Sequence, residues 1–275
     1  MSALSPATDH ARAGTARASG AQNGTAMSNA LASTVVVVTG CGGPAGQATV
    51  RRLLAEGSVV VGADANAGAL TALAQSLPGE QGARFHGQVV DLLDEAATRE
   101  WAAGVLTAYG RVDGVAHLVG GFRGGKSFED NTLADSDWLF SLLLRTLQTV
   151  SLAFHDALVA SPSARFVIIS ATAAQRPSPG SASYASAKAA AETWTFALAA
   201  SFAAVQSGGT AEPPPLRAAA TALVVKALLT DAMRAEKPDA SFAGYTHVDD
   251  LAAAIVGLWE SDASTLNGTR LELEH

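Results

Sequence analysis

The segment Val35-Val-Val-Val-Thr-Gly-Cys-Gly-Gly-Pro-Ala-Gly46 joins a short apolar run directly to a glycine-rich turn. Four consecutive valines favour a strand that is covered on both faces, as in a parallel sheet. The glycines allow a sharp turn and a helix that begins near Gly46. In such a turn, backbone amides at the start of the helix are placed to bind a diphosphate. The segment therefore predicts a nucleotide-binding strand, turn and helix, although a tight turn without a ligand has the same sequence.

Apolar runs and helical stretches alternate along the rest of the chain, as they do in sheets built from repeated strand–helix units. Further strands are predicted at residues 58–63, 83–90, 112–119, 166–170, 218–225 and 270–273, and further helices at 67–77, 95–109, 136–159, 183–205 and 249–259. This pattern predicts a single Rossmann-type, doubly wound α/β domain, with a mostly parallel seven-stranded sheet and helices on both faces.

The two ends of the chain differ in composition from this region. Residues 1–33 are rich in Ala, Ser, Thr and Gly and carry few large apolar side chains, so we expect a disordered tail. Met27 is a candidate biological start, because the predicted domain begins soon after it. Leu273-Glu-His275 resembles the remnant of an affinity tag. The predicted nucleotide-binding domain therefore spans residues 34–272.

The composition is typical of a soluble globular protein, since 48% of the 275 residues are apolar and 16% are charged. The net charge of −7 argues against a nucleic acid or an anionic membrane as a partner and leaves a small molecule. The single cysteine, Cys41, excludes an intramolecular disulfide and is typical of a reducing compartment, so we expect a cytoplasmic protein. Cys41 itself is expected to be a small packing residue.

Tyr184-Ala-Ser-Ala-Lys188 places a phenol and an ammonium on one face of a predicted helix, because residues i and i+4 are neighbours there. A phenol ordinarily titrates near ~10, and a nearby ammonium lowers its pKa. The pair is therefore a candidate proton donor with its modulator. A half-buried Tyr beside a solvated Lys has the same sequence.

Two aspartates end predicted strands at the edge where a nucleotide would bind. Asp64 follows the second strand, where a carboxylate binds the hydroxyls of an adenosine ribose, although it also fits the N-cap of the next helix. Asp91 follows the third strand and is a candidate acceptor for the adenine amino group or a cap of its own turn. Gly120-Gly121 leaves space for the adenosine half. The charge of Asp64 favours NAD(H), while Arg51 and Arg52 on the first helix keep NADP(H) open.

The order and spacing of five motifs resemble those of the short-chain dehydrogenase/reductase superfamily: Thr39-Gly40, Asp64, Asp91, Gly120 and Tyr184-x-x-x-Lys188. The resemblance covers the chain from about Thr34 to Leu273. Within the superfamily, the chain is similar to the dihydropteridine reductase branch in the segments 119–125, 137–138, 213–215 and 230–245. The resemblance implies an NAD(P)H-dependent oxidoreductase that transfers hydride to a small conjugated or quinonoid, dihydropterin-like substrate.

The resemblance also implies roles for individual residues. Tyr184 would donate a proton, and Lys188 would bind the nicotinamide ribose and lower the pKa of Tyr184. Phe122 and Thr172 would contact the substrate, although a Phe122 that only packs fits equally well. No metal site is implied. The implied cofactor-binding residues are Gly40, Gly43, Ala45, Gly46, Asp64, Asp91, Leu92, Gly120, Gly121, Lys188 and Thr230.

The chain departs from the superfamily pattern at three places. Ala171 lies thirteen residues before Tyr184, where the superfamily has a catalytic Ser. Leu143 and Arg145 lie where it has an Asn, and His117-Leu-Val-Gly120 replaces Asn-Asn-Ala-Gly. We expect His117 to be a core imidazole rather than a catalytic base. The dihydropteridine reductase branch also lacks the Ser, so this loss fits that branch.

Two other functions stay open. One is a carbonyl or enone reductase in which Ser170 or Thr172 replaces the missing Ser. The other is a non-catalytic dinucleotide-binding redox sensor, against which the retention of both Tyr184 and Lys188 argues.

The predicted long helices Ser136–Val159 and Ser183–Val205 carry apolar residues around much of their circumference. Exposed, these would form a patch larger than a soluble monomer usually shows. In the superfamily the two helices pair with their copies, so the resemblance implies a homodimer or homotetramer. The residues expected at this surface are Leu142, Leu143, Leu144, Leu147, Trp194, Phe196, Leu198 and Phe202.

Overall fold

A computed structural model of the protein describes residues 29–210 and 212–273. No helix in these ranges is both long enough and apolar enough to cross a membrane. The strands are β1 (Val35–Thr39), β2 (Val59–Asp64), β3 (Phe85–Val89), β4 (Gly114–His117), β5 (Ala164–Ala171), β6 (Ala218–Val225), β7 (Leu228–Leu229), β8 (Thr246–His247) and β9 (Arg270–Glu272). The α-helices are α1 (Pro44–Ala55), α2 (Ala67–Ser76), α3 (Gly79–Ala83), α4 (Glu95–Tyr109), α5 (Leu133–Phe140), α6 (Thr146–Ala160), α7 (Ala182–Ser207), α8 (Asp231–Glu236), α9 (Val248–Gly257) and α10 (Ala263–Leu266).

Seven of these strands form one parallel sheet in the order β3-β2-β1-β4-β5-β6-β9, and β7 pairs separately with β8. The strand order reverses between β1 and β4, so Thr39 lies beside His117 where both strands end. In open α/β sheets, ligands bind outside the carboxyl ends of the strands at such a reversal. The predicted doubly wound α/β fold is confirmed.

Apolar layers cover both faces of the sheet. On one face α4, α6 and α7 pack through Trp101, Phe154 and Phe202, and the rings of Trp101 and Phe154 meet edge to face at 5.3 Å. On the other face α1 and α9 pack through Leu53 and Ile255. Fully burying side chains of this size stabilises a fold by ~1.5–3 kcal/mol each. The two layers therefore support the carboxyl ends of the strands, where the candidate site lies.

The long helix predicted at residues 136–159 is interrupted in the structure. A π turn at Ser141–Arg145 joins α5 to α6, and in it the amide of Thr146 donates to the carbonyl of Ser141, five residues earlier. The carbonyl of Leu142 loses its usual partner and accepts instead from the hydroxyl of Thr146 at 2.7 Å. Apolar periodicity does not report such a turn, because the backbone stays helical through it.

Both predicted domain ends need correction. Leu31, assigned to the tail, is only 3% exposed, and its carbonyl accepts from the hydroxyl of Thr34 at 2.7 Å. Leu273, assigned to the tag remnant, donates its amide to Val224 at 3.0 Å and packs against the core. The folded region therefore includes residues 29–33 and 273. Predictions about residues 1–28 and 274–275, including Met27, lie outside the described residues.

The apolar surface predicted on the long helices is only partly present. Leu147, Leu198 and Phe202 are buried within one chain, because α6 and α7 turn these residues towards the sheet, and Leu143, in the π turn, is buried against Leu139 and Ala187. Leu142, Leu144, Trp194 and Phe196 are half-buried. The large apolar residues that α6 and α7 expose are Leu152 and Val205.

Candidate active site

The carboxyl ends of the strands border a groove made of two adjoining cavities. The smaller cavity has a volume of about 430 Å³ and contains Asp64 and Asp91. The larger has a volume of about 690 Å³ and contains Tyr184 and Lys188. Because the two cavities share part of their wall, one extended ligand can occupy both. The shared lining residues are Gly40, Gly43, Leu118, Val119 and Gly120.

The turn after β1 depends on glycine at two positions. Gly40 has a φ of +69°, and a Cβ on it would lie 2.8 Å from the amide nitrogen of Val119. A Cβ on Gly46 would lie 2.2 Å from the carbonyl oxygen of Gly40, so a larger residue would push α1 away from the turn. Gly43 is the N-cap of α1, and a Cβ there would meet nothing closer than 3.5 Å. The space beside Gly43 is therefore open to a ligand.

The start of α1 explains why proline is tolerated in this motif. Pro44 lies in the first turn of α1, where a missing amide costs no hydrogen bond because the first amides of a helix have no partner within it. Ala45 and Gly46 belong to the same turn and line the larger cavity. Gln47 holds the turn by donating its side-chain amide to Gly42 at 2.8 Å. The turn and its unpaired amides fit a diphosphate.

Asp64 lies in the smaller cavity with both carboxylate oxygens engaged. One oxygen accepts from the amide of Gly42 at 2.9 Å and the other from the amide of Asn66 at 2.9 Å. Asn66, not Asp64, caps α2, since its side chain accepts from Ala69 at 3.0 Å. The two amides fix the orientation of the Asp64 carboxylate towards the glycine turn.

Cations do not line the smaller cavity. Its charged lining residues are Asp64 and Asp91. Arg51, a candidate phosphate ligand in the sequence, donates instead to Gln47 and Ser76, and Arg52 pairs with Glu56 at 3.0 Å. An additional phosphate in this cavity would therefore meet negative charge.

Asp91 and Leu92 form the outer wall of the smaller cavity. One oxygen of Asp91 accepts from the amide of Leu93 at 3.0 Å, so this residue does cap its own turn. The carbonyl of Leu92 accepts from the hydroxyl of Thr149 at 2.6 Å, which ties this wall to α6.

Tyr184 and Lys188 lie one helical turn apart near the start of α7, and both line the larger cavity. The ammonium of Lys188 donates to the carbonyl of Ile169 at 2.6 Å and lies 5.8 Å from the centroid of the Tyr184 ring. The Tyr184 ring meets the ring of Phe122 edge to face, with 5.0 Å between centroids. The cavity thus combines a phenol, a buried ammonium and an aromatic wall.

Burial controls the titration of this pair. It raises the pKa of Tyr184 to about 12, and it lowers the pKa of Lys188 to about 8 against the opposing charge of Glu192. The expected lowering of the Tyr184 pKa by Lys188 is therefore wrong for the ligand-free chain, because desolvation of the phenolate dominates. Tyr184 remains protonated at neutral pH and holds a proton that it can donate.

His117 is a satisfied core imidazole, as expected. Its Nδ1 lies 2.8 Å from the hydroxyl of Thr39 and its Nε2 lies 3.2 Å from the hydroxyl of Thr146. Because Thr146 donates to Leu142, it receives a hydrogen bond from Nε2, and Thr39 then donates to Nδ1. Burial and the charge of Lys188 lower the pKa of His117 to about 3, so the ring stays neutral. Cys41, also buried, is a packing residue as expected, and burial raises its pKa to about 12.

Of the two hydroxyl residues proposed to replace the missing Ser, Ser170 lines the larger cavity, but its hydroxyl is already engaged. Ala171 ends β5, and the hydroxyl of Ser170 donates to the buried carboxylate of Glu192 at 2.5 Å. Glu192 also pairs with Arg270 at 3.1 Å. Thr172 does not line the larger cavity, whose wall at this point is Ala173.

Two hydroxyls that sequence reasoning missed line the larger cavity beside Tyr184. These are Ser178 and Ser181, whose oxygens lie 2.8 Å apart in a short turn before α7. The sequence contains a Ser-Pro-Gly-Ser capping pattern here, but such a pattern indicates the start of a helix and not a ligand site. Leu143, at a candidate position of the missing Asn, is buried, and Arg145 is exposed, so neither lines the groove.

A glycine-rich loop carries Phe122 over the larger cavity. A Cβ on Gly121 would lie 2.7 Å from the ring of Trp138, so the loop packs directly on α5. Arg123 stacks 4.0 Å above the same ring and pairs with Asp135 at 2.9 Å. These contacts hold the loop while Phe122 stays 63% exposed at the cavity mouth, where a flat ligand can reach it.

Thr230 lies on the opposite wall of the larger cavity as the N-cap of α8. Its hydroxyl oxygen accepts from the amide of Met233 at 3.1 Å, which leaves the hydroxyl proton for a ligand. Thr172 is thus the one predicted site residue that lies outside the groove. The others all line it: Gly40, Gly43, Ala45, Gly46, Asp64, Asp91, Leu92, Gly120, Gly121, Phe122, Tyr184, Lys188 and Thr230.

Replacing Glu192 by Gln is expected to shift the pH dependence of dinucleotide binding to lower pH. The carboxylate raises the pKa of Lys188 against burial, so its loss lowers that pKa below about 8. Lys188 then loses its charge at lower pH, and the affinity of the groove for an anionic dinucleotide should decline at lower pH than in the wild type. A fluorescence titration with a reduced dinucleotide from pH 6 to 10 measures this affinity. The control Ser170→Ala keeps the Glu192 charge and should keep the wild-type profile; identical profiles for all three proteins would contradict the coupling.

Comparison with known proteins agrees with this geometry. The profile of the short chain dehydrogenase family matches residues 34–206. A serine 3-dehydrogenase from Rhizobium radiobacter is 34% identical over 85 residues, which cover 31% of this chain and 32% of that protein. The chain thus matches about a third of the length of this curated relative.

Solved structures share the fold at lower identity. NAD⁺-bound xylitol dehydrogenase is 20% identical with a TM-score of 0.73, and the similarity covers 89% of this chain and 98% of that one. An NADPH-bound short chain oxidoreductase from Pseudomonas aeruginosa PAO1, described as containing an atypical catalytic center, is 21% identical with a TM-score of 0.73 over 87% of this chain and 95% of that one. The family profile spans more than half of the chain and includes the glycine turn, Tyr184 and Lys188. The protein belongs to the short chain dehydrogenase family.

Proposed function

We propose that this protein is an NADH-dependent reductase that transfers hydride to a small conjugated or quinonoid ring of the dihydropterin type. One observation carries the proposal: the ring of Tyr184 meets the ring of Phe122 edge to face in the larger cavity, and β5, which borders this cavity, ends in Ala171 where the family usually has a Ser. A ketone needs a second hydroxyl to polarise its carbonyl. An electron-poor conjugated ring accepts hydride with less polarisation, so it suits a site without that Ser.

The residues of the groove fit a nicotinamide dinucleotide. The glycine turn and the amides of Ala45 and Gly46 would hold the diphosphate. Asp64 would bind the adenosine ribose, Lys188 the nicotinamide ribose and Thr230 the carboxamide. Bound in this way, the nicotinamide supplies a hydride to the substrate ring.

Tyr184 is the proposed proton donor for the reduced ring. Its pKa of about 12 keeps the phenol protonated over the working pH range. A buried phenol gives up its proton only as negative charge develops on the substrate, which couples proton donation to hydride arrival. Phe122 would stack on the ring and orient it, because aromatic faces favour flat heterocycles.

The test is an assay of NADH and NADPH oxidation against quinonoid dihydropterin, simple quinones and small ketones. We expect turnover of the dihydropterin or the quinones and little turnover of ketones. Turnover of ketones alone would favour the carbonyl reductase. Tight NADH binding without turnover of any substrate would favour the redox sensor.

A carbonyl or enone reductase remains the second candidate, with a changed assignment. Ser170 lines the cavity with its hydroxyl engaged by Glu192, and Thr172 lies outside the cavity, whereas Ser178 lines the cavity without a contact to a carboxylate. In this alternative Ser178 would hold the substrate oxygen. Ser178→Ala would then abolish ketone reduction, whereas the quinonoid proposal expects a small effect on turnover.

We also propose NADH rather than NADPH as the physiological cofactor. Replacing Asp64 by Asn should reduce the preference for NADH over NADPH. Asn carries no charge to repel the 2′-phosphate of NADPH, and no lysine or arginine lines this cavity. We expect wild-type protein to bind NADH about tenfold or more tightly than NADPH, a difference of ~1.4 kcal/mol. Calorimetric titration of both cofactors measures the ratio. Asp91→Asn is the matched control and should change the ratio less; equal wild-type affinities would refute the preference.

We propose a homodimer through α6 and α7. The support is the pair of exposed apolar side chains Leu152 and Val205, together with the half-buried Leu144 and Trp194. Light scattering at micromolar concentration gives the mass, and a monomer mass would overturn the proposal.

A further inference from the structure

The larger cavity contains a cation that the proposed reaction does not use. Lys226 directly follows β6 and lines the cavity. Its ammonium donates to the carbonyl of Ala243 at 3.0 Å and lies 5.7 Å from the centroid of the Tyr245 ring. An ammonium has three N–H donors, so two remain for a ligand.

The position of this ammonium is set by backbone on both sides. The amide of Thr246 donates to the carbonyl of Ala227 at 2.9 Å, and the pairing of β7 with β8 closes the segment between them. Gly244, with a φ of +75°, makes the turn that brings Ala243 and Tyr245 against the Lys226 side chain. Lys226 is exposed, and its hydrogen bond to Ala243 in this turn places its ammonium at the cavity wall.

Negative charge does not balance this cation in the ligand-free chain. The charged residues that line the larger cavity are Lys188 and Lys226, and both are cationic. In the described ranges, no carboxylate lies within ion-pair distance of Lys226. Two ammonium groups without an acid in a cavity of a chain with a net charge of −7 mark a place for a negatively charged ligand group.

We propose that Lys226 is the anion-binding residue of the larger cavity, where it takes a carboxylate or phosphate oxygen of the bound ligand. The inference rests on the proposed function for the assignment of this cavity to nicotinamide and substrate. Two ligands present such an oxygen there: a substrate with a carboxylate beside its reacting ring, and the diphosphate of the cofactor. Either would form the charge-assisted hydrogen bonds that the two free N–H donors offer.

The experiment compares two probes of nearly the same shape, the anion 2-naphthoate and the neutral 2-naphthamide, and requires no turnover. Calorimetry measures their affinity for the NADH-loaded protein and, separately, the affinity of NADH for the free protein. The variants are Lys226→Gln, which removes the charge, and Lys226→Arg, which keeps it. The matched control is Lys237→Gln, because Lys237 is exposed at the end of α8 and does not line the cavity.

We expect Lys226→Gln to lower the affinity for either 2-naphthoate or NADH by about tenfold or more. Lys226→Arg and Lys237→Gln should bind both anions about as tightly as the wild type. Loss of 2-naphthoate affinity alone assigns the site to a substrate carboxylate, and loss of NADH affinity assigns it to the diphosphate. The proposal is overturned if Lys226→Gln binds both anions with wild-type affinity, or if it loses as much affinity for 2-naphthamide as for 2-naphthoate. A wild-type protein that binds no NADH refutes the proposed function, while the naphthoate comparison on the free protein still decides the role of Lys226.

Discussion

Tyr184→Phe is expected to lower kcat by about 10²–10⁴-fold while NADH binds as in the wild type, because general acid catalysis contributes rate factors of this size. The substitution removes one hydroxyl and keeps the ring, so the edge-to-face contact with Phe122 at 5.0 Å persists. Steady-state kinetics with the best quinonoid substrate and a fluorescence titration of NADH measure the two quantities. The loss should appear in kcat and kcat/KM alike, as for an interaction made in the transition state.

The matched control is Tyr245→Phe. Tyr245 lines the same cavity, so its loss of a hydroxyl tests whether any phenol there matters. We expect at most a few-fold change for this variant. A Tyr184→Phe enzyme with full activity would mean that the substrate takes its proton from water, and the assignment of Tyr184 as donor would be wrong.

Sequence reasoning succeeded where one local signal decides the structure. The helix Glu95–Tyr109 has the predicted bounds, because Asp94 caps its start by accepting from Ala97 at 3.0 Å and Gly110 ends it with a φ of +72°. The glycine turn succeeded for the same reason, since Gly40 has a φ of +69° and Gly46 packs directly on Gly40 and Cys41 within the turn. These signals lie within a few residues of the features that they specify.

Predictions that depended on distant neighbours were less accurate. The sequence offered Ser170 as a replacement for the missing Ser, but its hydroxyl donates to the carboxylate of Glu192 on α7. The pKa of Tyr184 was expected to fall because of Lys188, but the surrounding apolar wall raises it to about 12. Helical spacing identifies residues that share a face, but it does not identify what covers that face or how deeply it is buried.

Phe202 shows this limit most clearly, because its side chain faces the interior rather than a partner chain. It is fully buried in the layer between α7 and the sheet, with its ring 5.8 Å from that of His155. Truncating a core Phe to Ala costs ~3–5 kcal/mol, and an unpaired carboxylate at the same place adds several more. The free energy of unfolding of a natural domain is ~5–15 kcal/mol.

Phe202→Asp is therefore expected to leave the chain unfolded or close to it at 25 °C, as measured by urea denaturation followed by circular dichroism. The matched control is Val205→Asp, one turn later on the same helix, where the side chain is 52% exposed. We expect this control to keep the wild-type free energy of unfolding within ~0.5 kcal/mol at protein concentrations where both proteins are monomeric, because its carboxylate then stays in water. If α7 pairs with its copy, the same control should lower the mass seen by light scattering, because the new charge would face its partner across the two-fold axis. A Phe202→Asp protein that folds with the wild-type midpoint and differs only in mass would place Phe202 at the chain–chain interface and reverse the orientation of α7 described above.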